Sequence, residues 1–346
     1  MSRAPQTSTP RILEPQCGWT AADVADESSW PVVFTAVELA ELDLALRHAM
    51  AVSDDLLDIG RDDFPLPARA ARLAEVEREL IDGRGFVRLR GIDRDAYSQE
   101  EMEVLYWGIG MHLGHPWPQN QHGHVLGDVT DQRKAVDDPT ARGNELGGIA
   151  LPFHCDGSDL VGLLCLADGR SGGRSMVASS VGIHNQMVVE SPDLAAALYE
   201  PFPYDYRGEQ ADGGRPFYLL PVFTEWAGRL FVRAIPPYIA ASQRHPEAPR
   251  LTDLQREALA RFVALADDPA NHVEMDLLPG DIQLIDNFHV LHGRTAYEDD
   301  RAGGRVRHLK RLWLETTVLA DRPPHFTKQV GSHWEQRRST SRLRVT

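Results

Sequence analysis

The chain has 346 residues, of which 42% are hydrophobic and 25% are charged, a balance that is typical of a folded globular protein. This composition excludes a disordered chain, a collagen and a coiled coil, and the longest apolar runs, such as 161–167, are too short to cross a bilayer. The 51 acidic residues outnumber the 36 basic ones, giving a net charge of −15, so we expect no nucleic-acid or membrane partner.

The N-terminal residues do not resemble a targeting signal. They lack an apolar core, which argues against a signal peptide, and their Ser, Thr and Pro content predicts a flexible tail over 1–20. Three cysteines, Cys17, Cys155 and Cys165, are too few and too scattered for a disulfide framework or a cysteine-based zinc site. We therefore expect a cytoplasmic enzyme with one catalytic domain over 21–346.

Helical periodicity dominates the N-terminal third. The helices are predicted over 35–51, 69–81 and 98–113. Ser98 and Glu101 form a capping-box pair at the start of the third helix. The segment 83–91 alternates between two faces and is bounded by glycines, which is typical of a strand. The polar segment 117–131 is predicted to be a loop.

From about residue 150 the pattern becomes rich in strands. The strands are predicted over 160–167, 175–179, 217–223, 230–234, 272–278, 282–285 and 306–319. The segments 217–223 and 230–234 are expected to pair with each other around a turn near Gly228.

Helices interrupt this strand-rich region. A short helix is predicted to begin at Ser191-Pro192, and a longer one covers 252–266. The order of elements predicts a mainly β fold with helical decoration, built on an antiparallel double-sheet barrel. The barrel core is expected over about 83–319, with a helical insertion at about 191–266.

A histidine and a carboxylate lie two residues apart at His154 and Asp156. In extended backbone, residues i and i+2 point the same way, so both side chains can reach one ion. Two histidines and one carboxylate on one face of an octahedral ion leave three positions open, which is the arrangement of non-haem Fe(II) oxygenases.

The same short motif occurs at three other places: His245/Glu247, His272/Glu274 and His333/Glu335. Their context argues against a metal site there. The first lies in a polar stretch before a predicted helix, the second leaves only twenty residues before His292, and the third has no histidine after it. Only His154 is followed by strands and, about 138 residues later, by a candidate third ligand.

Two histidines, His289 and His292, compete for the third ligand position. Because they are three apart on a predicted strand, they face opposite sides, and only one can point toward the site. Their spacing does not choose between them.

The strand after them carries two arginines on one face. Arg307 and Arg311 are four apart and share that face with Leu309 and Trp313, which argues against a purely solvent-facing role. An arginine held against apolar neighbours needs an acidic partner, and its planar guanidinium group suits a carboxylate bidentately.

In combination, these motifs resemble a known family. His154-x-Asp156, a histidine in an Asn-x-x-x-x-His-x-Arg context and an arginine fifteen residues beyond it resemble the Fe(II)/2-oxoglutarate-dependent oxygenases of the taurine dioxygenase and clavaminate synthase-like group. The resemblance covers roughly 83–319. It implies a double-stranded β-helix, or jelly roll, flanked by α-helices, with His154, Asp156 and His292 as catalytic iron ligands.

The resemblance also implies the cosubstrate and the reaction. Fe(II), 2-oxoglutarate and O2 are expected, with release of succinate and CO2 as a substrate C–H bond is hydroxylated or desaturated. Arg307 would bind the distal carboxylate of 2-oxoglutarate, and Ser175, which follows a Gly-Gly pair, would assist it. Asp156 favours these outcomes over halogenation, because halogenating relatives lack this carboxylate.

The substrate is expected to be a small molecule bearing a carboxylate or sulfonate, for example an amino acid. Arg311 occupies a position that in some relatives contacts an anionic substrate group. Gln119 and Asn120 lie in a glycine-punctuated segment of the kind that supplies binding groups. Asn144 and Ser158 are further candidates.

Two other functions stay open at the level of sequence. A cupin-like isomerase or dioxygenase would keep the barrel and the metal but not 2-oxoglutarate, and Arg307 and Arg311 would then be structural. A non-enzymatic metal-binding protein would need only the metal ligands.

Overall fold

The computed structural model describes residues 10–13, 18–67, 70–135, 142–211, 213–326 and 338–340. The tail predicted over 1–20 falls mostly outside them. Within that segment, Leu13 is buried and its backbone exchanges two hydrogen bonds with the Asn185 amide. None of the helices in the described ranges has the length and apolar character needed to span a membrane.

Seven α-helices lie in the described residues: α1 (Ala36–Val52), α2 (Ala70–Ile81), α3 (Gln99–Leu113), α4 (Ser180–Glu190), α5 (Pro192–Ala197), α6 (Pro236–Ser242) and α7 (Asp253–Asp267). Capping boxes at Thr35, Ser98 and Thr252 begin α1, α3 and α7. The four long helices predicted from the sequence are therefore confirmed, whereas α4 was not predicted.

The strands in the described residues, in chain order, are β1 (Pro31–Val33), β2 (Phe86–Arg90), β3 (His115–Pro116), β4 (His124–Thr130), β5 (Leu151–His154), β6 (Leu160–Ala167), β7 (Ser171–Gly172), β8 (Ser175–Ser179), β9 (Pro201–Asp205), β10 (Phe217–Pro221), β11 (Phe223–Trp226), β12 (Arg229–Val232), β13 (His272–Met275), β14 (Ile282–Asp286), β15 (Val290–Arg294), β16 (Tyr297–Glu298), β17 (His308–Glu315) and β18 (Ser339–Thr340). The chain is thus mainly β with several helices.

Two sheets form the centre of the molecule. The larger has the order β1-β2-β14-β6-β17-β4-β18, with β3 also paired to β17. The smaller is antiparallel throughout and has the order β13-β8-β15-β5. Three two-stranded ladders, β9 with β10, β11 with β12 and β7 with β16, complete the strand pairing in the described residues.

The inner faces of the two sheets pack on each other. Val177 and Val290 from the smaller sheet belong to one apolar cluster with Ile285, Leu309 and Trp313 from the larger sheet. Because side chains alternate along a strand, the residues adjacent to these in each strand point away from the other sheet. The core is therefore organised in layers, and the alternate residues of β15 and β17 face the space between the sheets.

Helices cover both outer faces. Leu312 and Leu314 of β17 pack in a cluster with residues of α1, α2 and α3, including Tyr106. Leu291 of β15 packs in another cluster with residues of α4, α5 and α7, including Phe262. These helices bury the outward-facing apolar residues of both sheets and leave the inner faces to form the site.

The structure differs from the sequence-based expectations in three places. The predicted loop 117–131 contains β4, which pairs with β17. The segments 217–223 and 230–234 pair only at their ends, where Phe223 lies opposite Val232, because most of 217–223 forms β10 and pairs with β9, while the tight turn at Gly228 joins β11 to β12. The segment 191–266, expected as a helical insertion that also contains the strands 217–223 and 230–234, holds four strands beside α5, α6 and α7.

A buried ion cluster explains how the polar strand β4 fits into the larger sheet. Lys310 on the outward face of β17 is fully buried and lies 2.7 Å from Asp128 of β4 and 3.0 Å from Glu103 of α3. His308 lies 2.6 Å from the same Asp128 carboxylate. Burial opposes ionisation of Asp128, but His308 and Lys310 outweigh it, so the pKa of this carboxyl is lowered.

We predict that Lys310→Met destabilises the fold by about 3 kcal/mol, because it removes the lysine cation that two buried carboxylates, Asp128 and Glu103, share. Chemical denaturation measures the change. The matched control is Arg256→Met, which breaks an exposed pair with Asp253 and should change the unfolding midpoint very little. Equal effects of the two substitutions would contradict this account of the cluster.

Candidate active site

Three potential metal ligands converge between the sheets. Strands β5 and β15 pair so that His154 lies directly opposite His292, and their ring centroids are 4.3 Å apart. Asp156 lies two residues beyond the end of β5. One ligand atom from each of the three side chains lies within 4.8 Å of the others. The structure thus brings the predicted His-Asp-His set together.

His289 is placed elsewhere. It lies in the turn before β15, and its Nδ1 is 3.2 Å from the buried Asp286 carboxylate. The pairing of β15 with β5 and β8 points His292, and not His289, toward the side chains of His154 and Asp156.

Hydrogen bonding and burial prepare these side chains to bind a metal ion. His154 Nδ1 lies 2.8 Å from the Pro152 carbonyl oxygen, which fixes the proton on Nδ1 and leaves Nε2 as the ligand atom. Burial, and then the neighbouring His154, lower the pKa of His292 to about 3, so its ring is neutral. Burial opposes ionisation of Asp156, but Arg311 and the histidines outweigh it and hold its pKa well below the usual range. This donor set fits a divalent transition metal.

Asn287 fixes the backbone of Asp156 from the turn between β14 and β15. Its Oδ1 accepts from the Asp156 backbone N–H at 2.7 Å, and its Nδ2 donates to the carbonyl oxygens of Asp156 at 2.9 Å and Ser158 at 2.7 Å. The guanidinium of Arg233 also donates to the Asp156 carbonyl oxygen. Sequence reasoning gave neither residue a role, although Asn287 stands in the motif that includes His292.

The Asp156 carboxylate is oriented from the larger sheet. Trp313 Nε1 donates to Asp156 Oδ2 at 2.9 Å, and Arg311 Nη1 lies 3.2 Å from the same oxygen. Gln119 accepts from Arg311 Nε at 2.8 Å and donates to the carbonyl oxygens of Arg311 and Val125. Gln119 lines the cavity, but its amide is engaged in holding Arg311.

The other expected substrate groups are used locally. Asn120 bonds to backbone amides of its own loop, and Ser158 donates to the Leu160 carbonyl oxygen. Neither residue lines the cavity next to the triad. Asn144 does line it, and its amide donates to the Asp128 carbonyl oxygen. The positions of Asn120 and Ser158 therefore argue against a direct role in substrate binding.

One guanidinium nitrogen of Arg307 has no hydrogen-bond partner. The residue is 6% exposed, the unpartnered nitrogen is Nη1, and Nη2 donates to the Gly173 carbonyl oxygen at 3.4 Å. The guanidinium lies over the Tyr297 ring at 5.3 Å. Ser175 is also buried and donates to Gln283 Oε1 at 2.7 Å. Both Arg307 and Ser175 line the same cavity as the triad.

The cavity has a volume of about 510 Å³, which suits a small organic ligand. Its inner wall comes from β5, β15 and β17. Its outer wall comes from Arg142 and from the segment that runs from the end of β9 to just beyond α6, where Arg207, Tyr238 and Arg244 line the cavity. Sequence reasoning missed this outer wall, because no local motif connects these residues to the triad.

We predict that Asn287→Ala weakens Co(II) binding to the triad by about ten- to hundredfold, because Asp156 loses the groups that fix its backbone. Visible absorption during Co(II) titration measures the change. The matched control is Asn271→Ala, which removes a buried amide bonded to Gln186 and Leu265 away from the cavity. If both variants bind Co(II) like the parent protein, Asn287 does not position the ligand.

Comparison with known proteins places these features in a family. The family described as "Taurine catabolism dioxygenase TauD, TfdA family" matches residues 52–313. The chain is 33% identical over 299 residues to FR-33289 synthase of Streptomyces rubellomurinus, covering 86% of this chain and 88% of that relative. It is 26% identical over 337 residues to the taurine hydroxylase-like protein SAT17 of Stachybotrys chartarum, covering 93% and 85% of the two chains.

Solved structures share the fold. The non-heme iron oxygenase OrfP, in complex with Fe, succinate and (3S)-hydroxy-L-Arg, has a TM-score of 0.62 at 18% identity, covering 84% of this chain and 95% of that one. An asparagine oxygenase in complex with Fe(II), 3-hydroxyasparagine and succinate has a TM-score of 0.62 at 20% identity, covering 83% and 94%. With the family match over 52–313 and the 33% identical relative, the chain belongs to the TauD/TfdA dioxygenase family.

Proposed function

We propose that this protein is a non-haem Fe(II)/2-oxoglutarate-dependent oxygenase that hydroxylates or desaturates an unactivated C–H bond of a small anionic molecule. One observation carries the proposal: two imidazoles and one carboxylate converge within 4.8 Å, beside a buried arginine with an unpartnered nitrogen. Metal affinity and cosubstrate affinity are thus combined in one cavity.

Each side chain has a defined task in this proposal. His154, Asp156 and His292 hold Fe(II), which when bound supplies O2 activation coupled to oxidative decarboxylation of the keto acid. Arg307 pairs with the distal carboxylate of 2-oxoglutarate, and the Ser175 hydroxyl is placed to support it. The buried walls exclude water from the reacting groups. The presence of Asp156 favours hydroxylation or desaturation over halogenation.

The finer architectural assignments are part of the same proposal. The two facing sheets are consistent with a double-stranded β-helix, or jelly-roll, core of about 83–319 within a single catalytic domain over 21–346. Cys155 and Cys165 are free thiols, which supports a reducing cytoplasmic location.

Anaerobic addition of 2-oxoglutarate to the Fe(II)-loaded protein should give the weak visible absorption band of a bidentate keto acid on iron. Arg307→Ala should raise the 2-oxoglutarate concentration needed for this band by about ten- to hundredfold, because a charge-assisted contact is lost, and leave Fe(II) affinity nearly unchanged.

Arg305→Ala is the matched control, since Arg305 is exposed and pairs with Asp168 outside the cavity. It should leave the titration unchanged. Absence of the band in the parent protein would point to a cupin-like or non-enzymatic metal site. A parallel loss of iron and 2-oxoglutarate affinity in Arg307→Ala would show that Arg307 is misassigned.

Two substitutions test which of the two histidines is the metal ligand. His292→Ala should abolish Fe(II) binding, because one of three ligands is removed, whereas His289→Ala should bind Fe(II) with little change. Anaerobic equilibrium dialysis measures both affinities, and circular dichroism shows whether each variant is folded. The reverse order of effects would exchange the two assignments.

A further inference from the structure

The cavity wall has a charge opposite to that of the whole chain. The net charge of the chain is −15, yet seven arginines line the cavity against three carboxylates, an excess of four positive charges. These arginines are Arg142, Arg207, Arg233, Arg244, Arg294, Arg307 and Arg311. Such a concentration of guanidinium groups around one cavity favours the binding of anions.

The three carboxylates of the described wall are already engaged with arginines. Asp156 contacts Arg311, and it is also the proposed metal ligand. Asp205 lies 2.9 Å from Arg244. Glu209 pairs with Arg142. A substrate ammonium or guanidinium group would therefore have to compete with an existing ion pair for each acidic partner in this part of the wall.

Loading the site does not remove the positive excess. A ferrous ion brings two positive charges and 2-oxoglutarate brings two negative ones, so their charges cancel. Arg307 takes one carboxylate of the cosubstrate in the proposed function. The remaining arginines still exceed the carboxylates, and charges in an enclosed cavity are weakly screened by solvent and salt.

We propose that the substrate is a small organic polyanion with at least two negative charges, and that the outer wall binds the oxyanion group farther from the metal. The inference rests on the proposed oxygenase function and adds the substrate class to it. It differs from a free basic amino acid, the class of ligand found with the OrfP neighbour. Phosphonate and carboxylate groups share the required chemistry.

Arg207 is the outer-wall residue best suited to a test. Its guanidinium lies 5.3 Å from the Tyr238 ring, and both residues line the cavity. Its backbone is left-handed, with φ of 54°, and its N–H donates to Asp205 Oδ1 at 2.6 Å. Glycine adopts this conformation without strain, so Arg207→Gly removes the guanidinium without disturbing the turn.

The chain contains a matched control for this substitution. Arg133 has φ of 59°, and its N–H donates to Asp131 Oδ1 at 2.8 Å, in the same Asp-x-Arg turn. Arg133 is exposed and does not line the cavity. Arg133→Gly therefore reproduces the backbone change of Arg207→Gly at a site where no ligand effect is expected.

The experiment measures binding of defined probes to the anaerobic Fe(II)- and 2-oxoglutarate-loaded protein by calorimetry. The probes are 3-phosphonopropionate, the diethyl ester of its phosphonate, tricarballylate and L-arginine. At least one of the two polyanions should bind about tenfold or more tightly than the ester and L-arginine, because each charge-assisted contact contributes to affinity. The ratio of the affinities for the two polyanions identifies the preferred oxyanion.

Arg207→Gly should weaken binding of the preferred polyanion by about tenfold or more, with the 2-oxoglutarate band and the unfolding midpoint preserved. Arg133→Gly should change none of these. Binding of L-arginine as tight as that of the polyanions, failure of both polyanions to bind, or equal behaviour of the two glycine variants would overturn the proposal. A missing 2-oxoglutarate band would instead overturn the proposed function.

Discussion

The register between β5 and β15 is the constraint on which the site depends. The two strands are far apart in the chain, yet His154 stands directly opposite His292. Because side chains alternate along a strand, a slip of one residue would turn one imidazole away from the other. Pairing of β15 with β8 on its other edge, where His292 lies opposite Val177, fixes the register from both sides.

The turn between β14 and β15 extends this constraint to the third ligand. Asp156 lies beyond the end of β5, where no ladder holds it, and Asn287 supplies the missing backbone partners. The short segment 287–292 therefore contributes His292 itself, sets His154 by strand pairing and holds Asp156 by hydrogen bonds. A metal site assembled in this way keeps its geometry as long as one strand and its preceding turn stay in place.

Interactions between residues close in the sequence made much of the fold predictable. The hydroxyl groups of Ser98 and Thr252 cap their own helices, so the starts of α3 and α7 are visible within four residues of sequence. The i, i+2 spacing likewise made His154 and Asp156 a candidate ligand pair, because it gives their side chains a common direction. The choice of His292 over His289 came from the resemblance to the family, since spacing alone left both open.

Long-range contacts account for what sequence reasoning missed. Strand β4 looks like a polar loop because its Asp128 finds its cation, Lys310, only after the sheet forms. Helix α4 is apolar on most sides and gives little helical periodicity, and it is held by tertiary packing through residues such as Met187. The outer wall of the cavity was missed for the same reason, because only the fold brings Arg142 and Arg207 to one cavity.

The net charge of the chain and the charge of the cavity act on different kinds of partner. At physiological salt, charges on the surface are screened over about 8 Å, so the acidic exterior acts on large polyanions that must lie across it. A small molecule inside the cavity is surrounded instead by arginines at close range, where screening is weak. The net negative charge, from which no nucleic-acid partner was expected, is therefore compatible with a small anionic substrate, because that expectation concerns only partners too large to enter the cavity.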